Sequence, residues 1–287
     1  MTSNPKNTNN TLIRLYIACP KQTTFLVETD SSELVYFLNA KYGHYCTQIC
    51  NEAADIKIVA MKSPKGGTIF TKDGQCKTSN LIHIVNSIIK RSVQYDETVL
   101  ALHGAAVSFN GEVALFIAPT TSGKTTLTSY LTATGCTYIT DDCILIEKET
   151  LAIHPYTTPI SLRAGGLNIL LKKGIILPKT AILNDGYTER FTYTPPIVLT
   201  TKEQISKIFF IKRANENNLK KLPPHMSIEQ FIHNTAIVYP INEYLLTTFI
   251  KMCQLPCYNL TYKNMKFVKE VIQSTNIVNG KESYDDC

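Results

Sequence analysis

The stretch APTTSGKTT, residues 118–126, decides the fold of this chain of 287 residues. Its end, Gly123-Lys124-Thr125, matches the end of a phosphate-binding loop, and it stands between a predicted strand and a predicted helix. In such a loop backbone N–H groups surround the phosphates of a nucleotide, the lysine reaches the β- and γ-phosphates, and a serine or threonine holds Mg²⁺. The stretch therefore predicts a nucleotide site, with an ordinary strand-to-helix turn as the alternative. The predicted contacts are Thr121, Ser122, Gly123, Lys124, Thr125 and Thr126.

The loop departs from the usual pattern at two places. Ala118 stands where the first glycine is expected, and Thr121 stands at a middle glycine. Alanine is tolerated at a negative φ, but a positive φ would strain it by roughly 1 kcal/mol or more. Whether the two residues can adopt the angles that glycine would supply is the question that the loop poses.

Two adjacent acidic residues follow the loop. Asp141 lies seventeen positions after Lys124, inside the strand-like segment TYITDDCILIE. Adjacent side chains on a strand point to opposite faces, so a bend or a strand end must bring both aspartates near a phosphate. One carboxylate could then hold Mg²⁺ while the other accepts a proton from an attacking hydroxyl. A turn that happens to contain two acidic residues is the alternative.

A histidine precedes the loop. His103 lies twenty-one residues before Lys124, in the segment LHGAA. Histidine is a common general acid or base, although a lone histidine on a strand is more often a structural residue. The residue is therefore a candidate whose role depends on what surrounds it.

The chain before the loop has the pattern of a small α/β domain. We predict a disordered tail at 1–11, this small domain at 12–96 with a possible role in substrate recognition, and a larger domain at 97–287 that carries the loop. The predicted elements of the small domain are strands at 12–18, 23–29 and 55–62, a hairpin turn at Asp73-Gly74, and helices from Ser32 and over 80–93.

The larger domain alternates strands and helices, which predicts an α/β fold with a mixed sheet. Gly135 is expected to end the helix after the loop, and Ser227 with Gln230 predicts a capping box at the start of another helix. The predicted elements are strands at 98–109, 112–118, 137–147, 151–163, 206–213 and 257–263, a hairpin turn at Asn110-Gly111, and helices around 240–254 and 264–273.

Composition excludes several classes of function. The chain is 44% hydrophobic with a net charge of +6 and has no dense block of lysine and arginine, so no nucleic-acid partner is expected. No secretion signal or membrane span is predicted. Nine scattered cysteines suggest reduced thiols and a cytoplasmic protein. The spacings of His44, Cys46 and Cys50, and of Cys253 and Cys257, are not those of common zinc sites.

Together these residues resemble the catalytic domain of HPr kinase/phosphorylase. The order His103-Gly104, strand, loop, helix and Asp141-Asp142 matches that family, and the segment PISLRAGGLNI at 159–169 is similar to its Glu-x-Arg-Gly segment. The resemblance covers roughly residues 98–275. It is stronger to the short HPr-kinase-like serine kinases found beside peptide-modification genes.

The resemblance implies a fold, an activity and a set of roles. It implies a P-loop domain of the phosphoenolpyruvate-carboxykinase type that transfers a phosphoryl group from ATP to a serine hydroxyl. Asp141 would be the base, Asp142 and Thr125 would hold Mg²⁺, and the reverse assignment of the two aspartates is the alternative. His103 would orient the aspartates or touch the transferring phosphate.

This chain also departs from the family. Ser161 stands where the family has a metal-binding glutamate, which puts metal coordination and reverse phosphorolysis in doubt and favours a one-way kinase. Arg163 could pair with phosphate or cap a strand. Arg190 falls where the family has a basic residue that neutralises charge on the phosphoryl group, although a surface salt bridge is equally compatible.

The leading hypothesis is therefore an ATP- and Mg²⁺-dependent kinase that acts on a Ser or Thr hydroxyl of a small protein or ribosomally made peptide. The alternatives are a non-catalytic nucleotide-binding regulator, suggested by the altered loop and Ser161, and a kinase of a small hydroxylated metabolite such as serine. A homo-oligomer is compatible with the resemblance.

Overall fold

The structure, a computed structural model, describes residues 10–17, 20–46, 54–178, 181–184, 188–234 and 243–274. The fold is mixed α/β, as predicted, and its strands form three sheets. Most of the predicted tail at 1–11 lies outside the described residues, and Thr11 already begins the first strand. In these ranges no helix combines the length and the apolar character that crossing a membrane requires.

The N-terminal part is a five-stranded sheet with two helices on one face. Alternation along the strands places residues such as Leu15 and Phe25 against the helices, where they are fully buried. The first helix begins at Ser32, as predicted, and the second begins at Leu81, one residue after its predicted start. The Ser31 and Asn80 side chains at the N-cap positions accept hydrogen bonds from backbone N–H groups. The elements are β1 (Thr11–Ile17), β2 (Thr23–Thr29), α1 (Ser32–Tyr42), β3 (Ile56–Ser63), β4 (Gly66–Thr71), β5 (Gly74–Thr78) and α2 (Leu81–Gln94).

The central sheet has nine strands and carries the loop. Three of its strands, Glu112–Ile117, Glu203–Arg213 and Cys257–Tyr262, are mutually parallel, and the helix after the loop packs on one face of them. The elements are β6 (Val99–Leu102), β7 (Gly104–Phe109), β8 (Glu112–Ile117), α3 (Lys124–Ala133), β9 (Thr137–Asp141), β10 (Ile144–Glu147), β11 (Ala152–His154), β15 (Glu203–Arg213), β16 (Asn218–Lys221) and β17 (Cys257–Tyr262).

The two faces of this sheet are covered by different helices. On one face Phe116 and Phe209 stack at 5.8 Å between ring centroids, under α3 and α7 (Met265–Gln273). On the other face Phe231 of α5 (Pro224–Asn234) stacks on Phe249 of α6 (Glu243–Met252) at 5.5 Å. The helix α7 confirms the helix predicted at 264–273. Residues 240–242 of the predicted helix at 240–254 lie outside the described part.

Three segments predicted as single long strands are each broken. In the segment 151–163 only Ala152–His154 and Ile160–Leu162 are strands, and the other two segments break in the middle. The segment 98–109 divides into β6 and β7 at His103, and 137–147 divides into β9 and β10 at Asp142, whose φ is +90°. The physical reason is the pairing, because β6 pairs with β10 while β7 pairs with β9. The Asp142 N–H donates to the Gly104 carbonyl at 2.9 Å, so the two breaks lie side by side.

The predicted capping box at Ser227 and Gln230 is wrong. The helix α5 begins three residues earlier, at Pro224, and Ser227 is a buried interior residue whose hydroxyl donates to the Pro223 carbonyl at 3.3 Å. A proline is favoured in the first turn of a helix because its missing N–H would have no partner there. Pro224 therefore determines the start.

A small third sheet closes one side of the loop. It consists of β12 (Ile160–Leu162), β14 (Glu189–Tyr193) and β13 (Ala181–Asn184), and α4 (Ala164–Lys172) follows β12 directly. Leu162 and Leu170 join the apolar cluster under α3. This arrangement brings the segment 159–169 next to the loop.

One apolar cluster extends across the predicted boundary near residue 96. Val99 and Ala101 of β6 and Leu145 of β10 pack with the N-terminal sheet and its helices, while their neighbours Leu100 and Ile144 point to the opposite cluster. The alternation of β6 and β10 thus gives one face of each strand to the N-terminal layer. The predicted division into domains stays a prediction.

Candidate functional site

The loop at 118–126 joins β8 to α3, as the sequence pattern requires. Gly123 has a φ of +95° and occupies the N-cap position of α3. Thr121 also has a positive φ, +68°, whereas Ala118 is not among the residues with positive φ in the described chain. The alanine at the first glycine position is therefore unstrained, and the replaced middle glycine is where the loop carries a left-handed non-glycine residue.

Replacing Thr121 with glycine should stabilise the protein. Glycine adopts a φ of +68° without steric cost, so we expect Thr121→Gly to raise the free energy of unfolding by about 0.5–1 kcal/mol, measured by urea denaturation. Thr120→Gly is the matched control, because Thr120 is not among the residues with positive φ and there glycine only increases the entropy of the unfolded chain. An equal destabilisation in both variants would contradict strain at Thr121.

Lys124 lies inside the loop. Only 6% of the residue is exposed, and its Nζ donates to the carbonyl oxygens of Ala118 at 2.7 Å and Pro119 at 2.9 Å. Burial lowers the pKa of Lys124, and the nearby Asp141 and Asp142 only partly offset this effect. The loop therefore holds a partly desolvated ammonium group at the start of α3.

The remaining loop residues fit a phosphate ligand. The Ser122 hydroxyl is buried and has no hydrogen-bond partner among the described residues. A Cβ at Gly123 would lie 3.3 Å from the Tyr262 hydroxyl, so a side chain there would crowd the loop. The N-terminus of α3 adds unsatisfied backbone N–H groups and a positive dipole end, which favour an anion. The start of α3, with no side chain at Gly123, therefore suits a phosphate ligand.

Asp141 ends β9 and is buried, with 7% of the residue exposed. Burial, followed by the charge of Asp142, raises the pKa of Asp141 from 3.8 to about 7, although a hydrogen bond from Thr125 and the charge of Lys124 lower it in part. A carboxyl group that titrates near neutral pH can accept a proton and release it again.

Asp142 is in a different electrostatic environment from its neighbour. Its side chain is 48% exposed to the cavity and forms an ion pair with Lys90 through Oδ2. Burial raises the pKa of Asp142, but the charge of Lys90 and the contacts with His103 and Lys90 lower it by more, so the net pKa lies well below the ordinary value. The pKa values of the two neighbouring carboxyl groups are thus shifted in opposite directions.

His103 lies against Asp142 at the break between β6 and β7. Its Nδ1 is 3.0 Å from the backbone oxygen of Asp142 and 3.2 Å from the side-chain Oδ1. A carbonyl oxygen only accepts hydrogen bonds, so Nδ1 carries the hydrogen and Nε2 keeps its lone pair when the ring is neutral. The contact fixes the orientation of Asp142.

A cavity of about 580 Å³ brings the predicted site residues together. Its walls include every predicted loop contact except Ser122, and also His103, Asp141, Asp142, Arg163 and Arg190. Five lysines and arginines, but only two aspartates, line it. A polyphosphate with its several negative charges matches this excess of positive charge.

The two predicted arginines line this cavity at neighbouring positions, next to the pair Leu162 and Phe191 of β12 and β14. Arg163 is exposed and occupies the N-cap position of α4 without a capping hydrogen bond from its side chain. Arg190 is half-buried in β14 and donates from Nε to the Thr188 hydroxyl at 3.0 Å. Neither arginine pairs with a carboxylate of the described residues, and both line the cavity.

The cavity has a wall that the sequence did not predict. The helices α1 and α2 of the N-terminal layer contribute Phe37, Lys41, His83, Asn86 and Lys90 to it. The last three are spaced i, i+3 and i+7 and so share one face of α2. This spacing is the sign of the cavity wall that the sequence contains. A polar helix face normally points to solvent, and the pattern alone does not distinguish that arrangement from a cavity wall.

Gly166 is a second residue whose importance the sequence did not reveal. A Cβ at this position of α4 would lie 2.7 Å from the Thr126 hydroxyl and 3.1 Å from Leu162. The glycine therefore allows α4 to approach the start of α3 closely. This approach brings Arg163 to the mouth of the loop.

A metal at this site would depend on few protein ligands. Among the described residues no three His, Cys, Asp or Glu side chains form a cluster that could hold an ion. Thr125 and the aspartates lie in one cavity, and Mg²⁺ typically takes one or two carboxylates and completes its shell with phosphate oxygens and water. The donor set fits Mg²⁺ bound together with a nucleotide.

Cys50, which could have formed a separate site with His44 and Cys46, lies outside the described residues.

Comparison with solved structures finds a distant likeness to the HPr(Ser) kinase/phosphatase from Coxiella burnetii. The sequences are 8% identical, the TM-score is 0.31, and the match covers 60% of this chain and 93% of that chain. No family model and no curated protein matches the chain. The geometry of the cavity, rather than this likeness, has to carry a functional conclusion.

Proposed function

We propose that this chain is an ATP- and Mg²⁺-dependent kinase that phosphorylates a Ser or Thr hydroxyl of a small protein or ribosomally made peptide, as an HPr-kinase-like serine kinase with a P-loop. One observation carries the proposal: Asp141, a buried carboxyl group with a pKa of about 7, lies in one cavity with Lys124 and the start of α3. Phosphoryl transfer to a hydroxyl needs a base that takes the proton of the hydroxyl and a site that binds the phosphates of the donor, and this cavity has a candidate for each.

The reaction assigns a defined task to Asp141. The acceptor hydroxyl gives its proton to the Asp141 carboxylate while its oxygen forms a bond to the γ-phosphorus. The bond from that phosphorus to the oxygen bridging the β- and γ-phosphates breaks, and ADP leaves with the electron pair. When bound, Mg²⁺ would neutralise part of the phosphate charge.

Three cations of the cavity would stabilise the transferring group. Lys124 lies closest to the loop, and Arg163 and Arg190 line the cavity from the third sheet and α4. Fixed positive charges in a partly water-excluded site stabilise the charge that develops on the equatorial oxygens. His103 fixes Asp142, which with Thr125 would hold the metal.

Removing the loop lysine should abolish most of the transfer. We expect Lys124→Met to lower the rate of phosphoryl transfer by about 10²–10³-fold, because one charged stabiliser of the transition state is lost. The measurement is transfer from γ-labelled ATP in the presence of Mg²⁺. Lys202→Met is the control, since Lys202 pairs with Glu147 in a surface ion pair. Equal rates in the two variants would remove Lys124 from the reaction.

The acceptor decides between the proposal and its alternatives. The protein would be incubated with γ-labelled ATP and Mg²⁺, and with three acceptor pools: peptides of fewer than about a hundred residues from the host, intact host proteins, and free serine with other small hydroxy compounds. Label in a peptide or protein supports the proposal. Label only in a small compound identifies a metabolite kinase, and ATP binding without label in any pool identifies the non-catalytic regulator that the altered loop and Ser161 suggest.

A further inference from the structure

The ion pair between Lys90 and Asp142 joins two parts of the molecule that are 52 residues apart in sequence. Lys90 lies near the end of α2, and Asp142 lies at the break between β9 and β10. Lys90 contacts Oδ2 of the carboxylate, while His103 Nδ1 lies 3.2 Å from Oδ1. Each oxygen of Asp142 therefore already faces a basic group, and one of these groups comes from the N-terminal layer.

The ammonium group of Lys90 lies against Asp142 in the wall of the cavity. The Lys90 side chain is only 26% exposed, and what is exposed faces the same cavity as Lys124. Asp142 is the more exposed of the two aspartates, and its Oδ2 is the oxygen that Lys90 occupies. A divalent cation that approached Asp142 from the cavity would thus meet the ammonium group of Lys90 first.

Two cations cannot share this oxygen without repulsion. Two positive charges at contact distance repel each other strongly where water is partly excluded, and the repulsion doubles when one of them is a divalent ion. A triphosphate in the cavity supplies negative charge that can receive the displaced ammonium group. The site therefore has a place for Lys90 both before and after a metal binds.

We propose that Lys90 is a positioning residue that acts as an exchangeable counter-ion: it holds Asp142 in the absence of a divalent cation, and it moves from Asp142 to the phosphates when Mg²⁺ and ATP bind. The proposal rests on the proposed function, since it needs a nucleotide and a metal in this cavity. It makes the N-terminal layer a contributor to metal binding rather than only a support for the sheet.

The exchange predicts two opposite effects of one substitution. In Lys90→Met, Asp142 is free of its competitor, so the Mg²⁺ concentration that gives half of the full increase in ATP affinity should fall about threefold to tenfold. In EDTA the same variant leaves the negative charge of Asp142 without its counter-ion beside the phosphates, so the dissociation constant of ATP should rise about threefold to tenfold. A lysine that merely supported the fold would weaken both kinds of binding.

Isothermal titration calorimetry with ATP, in EDTA and at a series of Mg²⁺ concentrations, measures both quantities. Lys90→Arg should keep both values near the wild type, and Lys62→Met is the matched control because Lys62 pairs with Glu33 in the same layer. Lys90→Gln gives the same test if the methionine variant does not fold. Changes in the same direction, or no change, overturn the exchange while the kinase proposal stands. A wild-type protein that binds no ATP overturns both proposals.

Discussion

Asp141→Asn should reduce phosphoryl transfer by about 10²–10⁴-fold, the contribution that a positioned general base typically makes. The amide cannot take the proton of the acceptor hydroxyl, yet it has nearly the size of the carboxyl group and can still hydrogen-bond with Thr125. The nucleotide should therefore still bind. Transfer from γ-labelled ATP measures the first effect, and calorimetry with ATP and Mg²⁺ measures the second.

The control for this substitution is Asp73→Asn. Asp73 lies in the hairpin turn between β4 and β5, outside the cavity, so the same chemical change there should leave transfer at the wild-type rate. Full activity of Asp141→Asn would overturn its assignment as the base. Loss of activity together with loss of ATP binding would point to a role of Asp141 in binding instead.

The same substitution should stabilise the protein above neutral pH. The pKa of Asp141 rises from 3.8 to about 7 in the folded state, so between these values the folded protein binds more protons than the unfolded chain. Its contribution to stability is therefore fully present below about pH 4 and is lost as the pH rises through about 7. A difference of about 3 in pKa corresponds to on the order of 4 kcal/mol.

Urea denaturation in EDTA, without nucleotide, between pH 5 and pH 8 measures how the contribution of Asp141 to the free energy of unfolding changes with pH. The free energy of unfolding of Asp141→Asn, relative to the wild type, should increase with pH by about 2–4 kcal/mol over this range. Asp73→Asn should give a difference that does not change with pH. A flat difference for Asp141→Asn would mean that the carboxyl group is not destabilised by burial. An increase with pH would mean that the folded protein gives up stability to keep this carboxyl group buried.

Features set by a few neighbouring residues were predictable from the sequence. The Asn110-Gly111 turn has positive φ at both residues, 51° and 81°, as the predicted hairpin requires. The chain turns from strand into helix at Gly123, which supplies the positive φ at the N-cap position, and α3 begins at Lys124. In these places local chemistry alone determines the backbone.

Features set by distant pairing were not predictable. The apolar pattern around His103 and around Asp142 is that of continuous strands. These strands break because β6 pairs with β10 whereas β7 pairs with β9. The ion pair of Lys90 with Asp142 depends on how the N-terminal layer packs, and the pKa of Asp141 depends on burial by several elements. The roles of the site residues stay predictions until the experiments above are done.

The apolar cluster that crosses residue 96 limits how this protein can be divided. A chain that began near residue 97 would retain the loop, both aspartates and His103, yet it would expose the faces of Val99, Ala101 and Leu145 to water and would lack Lys90. The N-terminal layer is therefore not joined to the rest of the chain as a domain on a flexible linker would be. The part of the cavity that α1 and α2 line can be altered by single substitutions that leave this shared core intact.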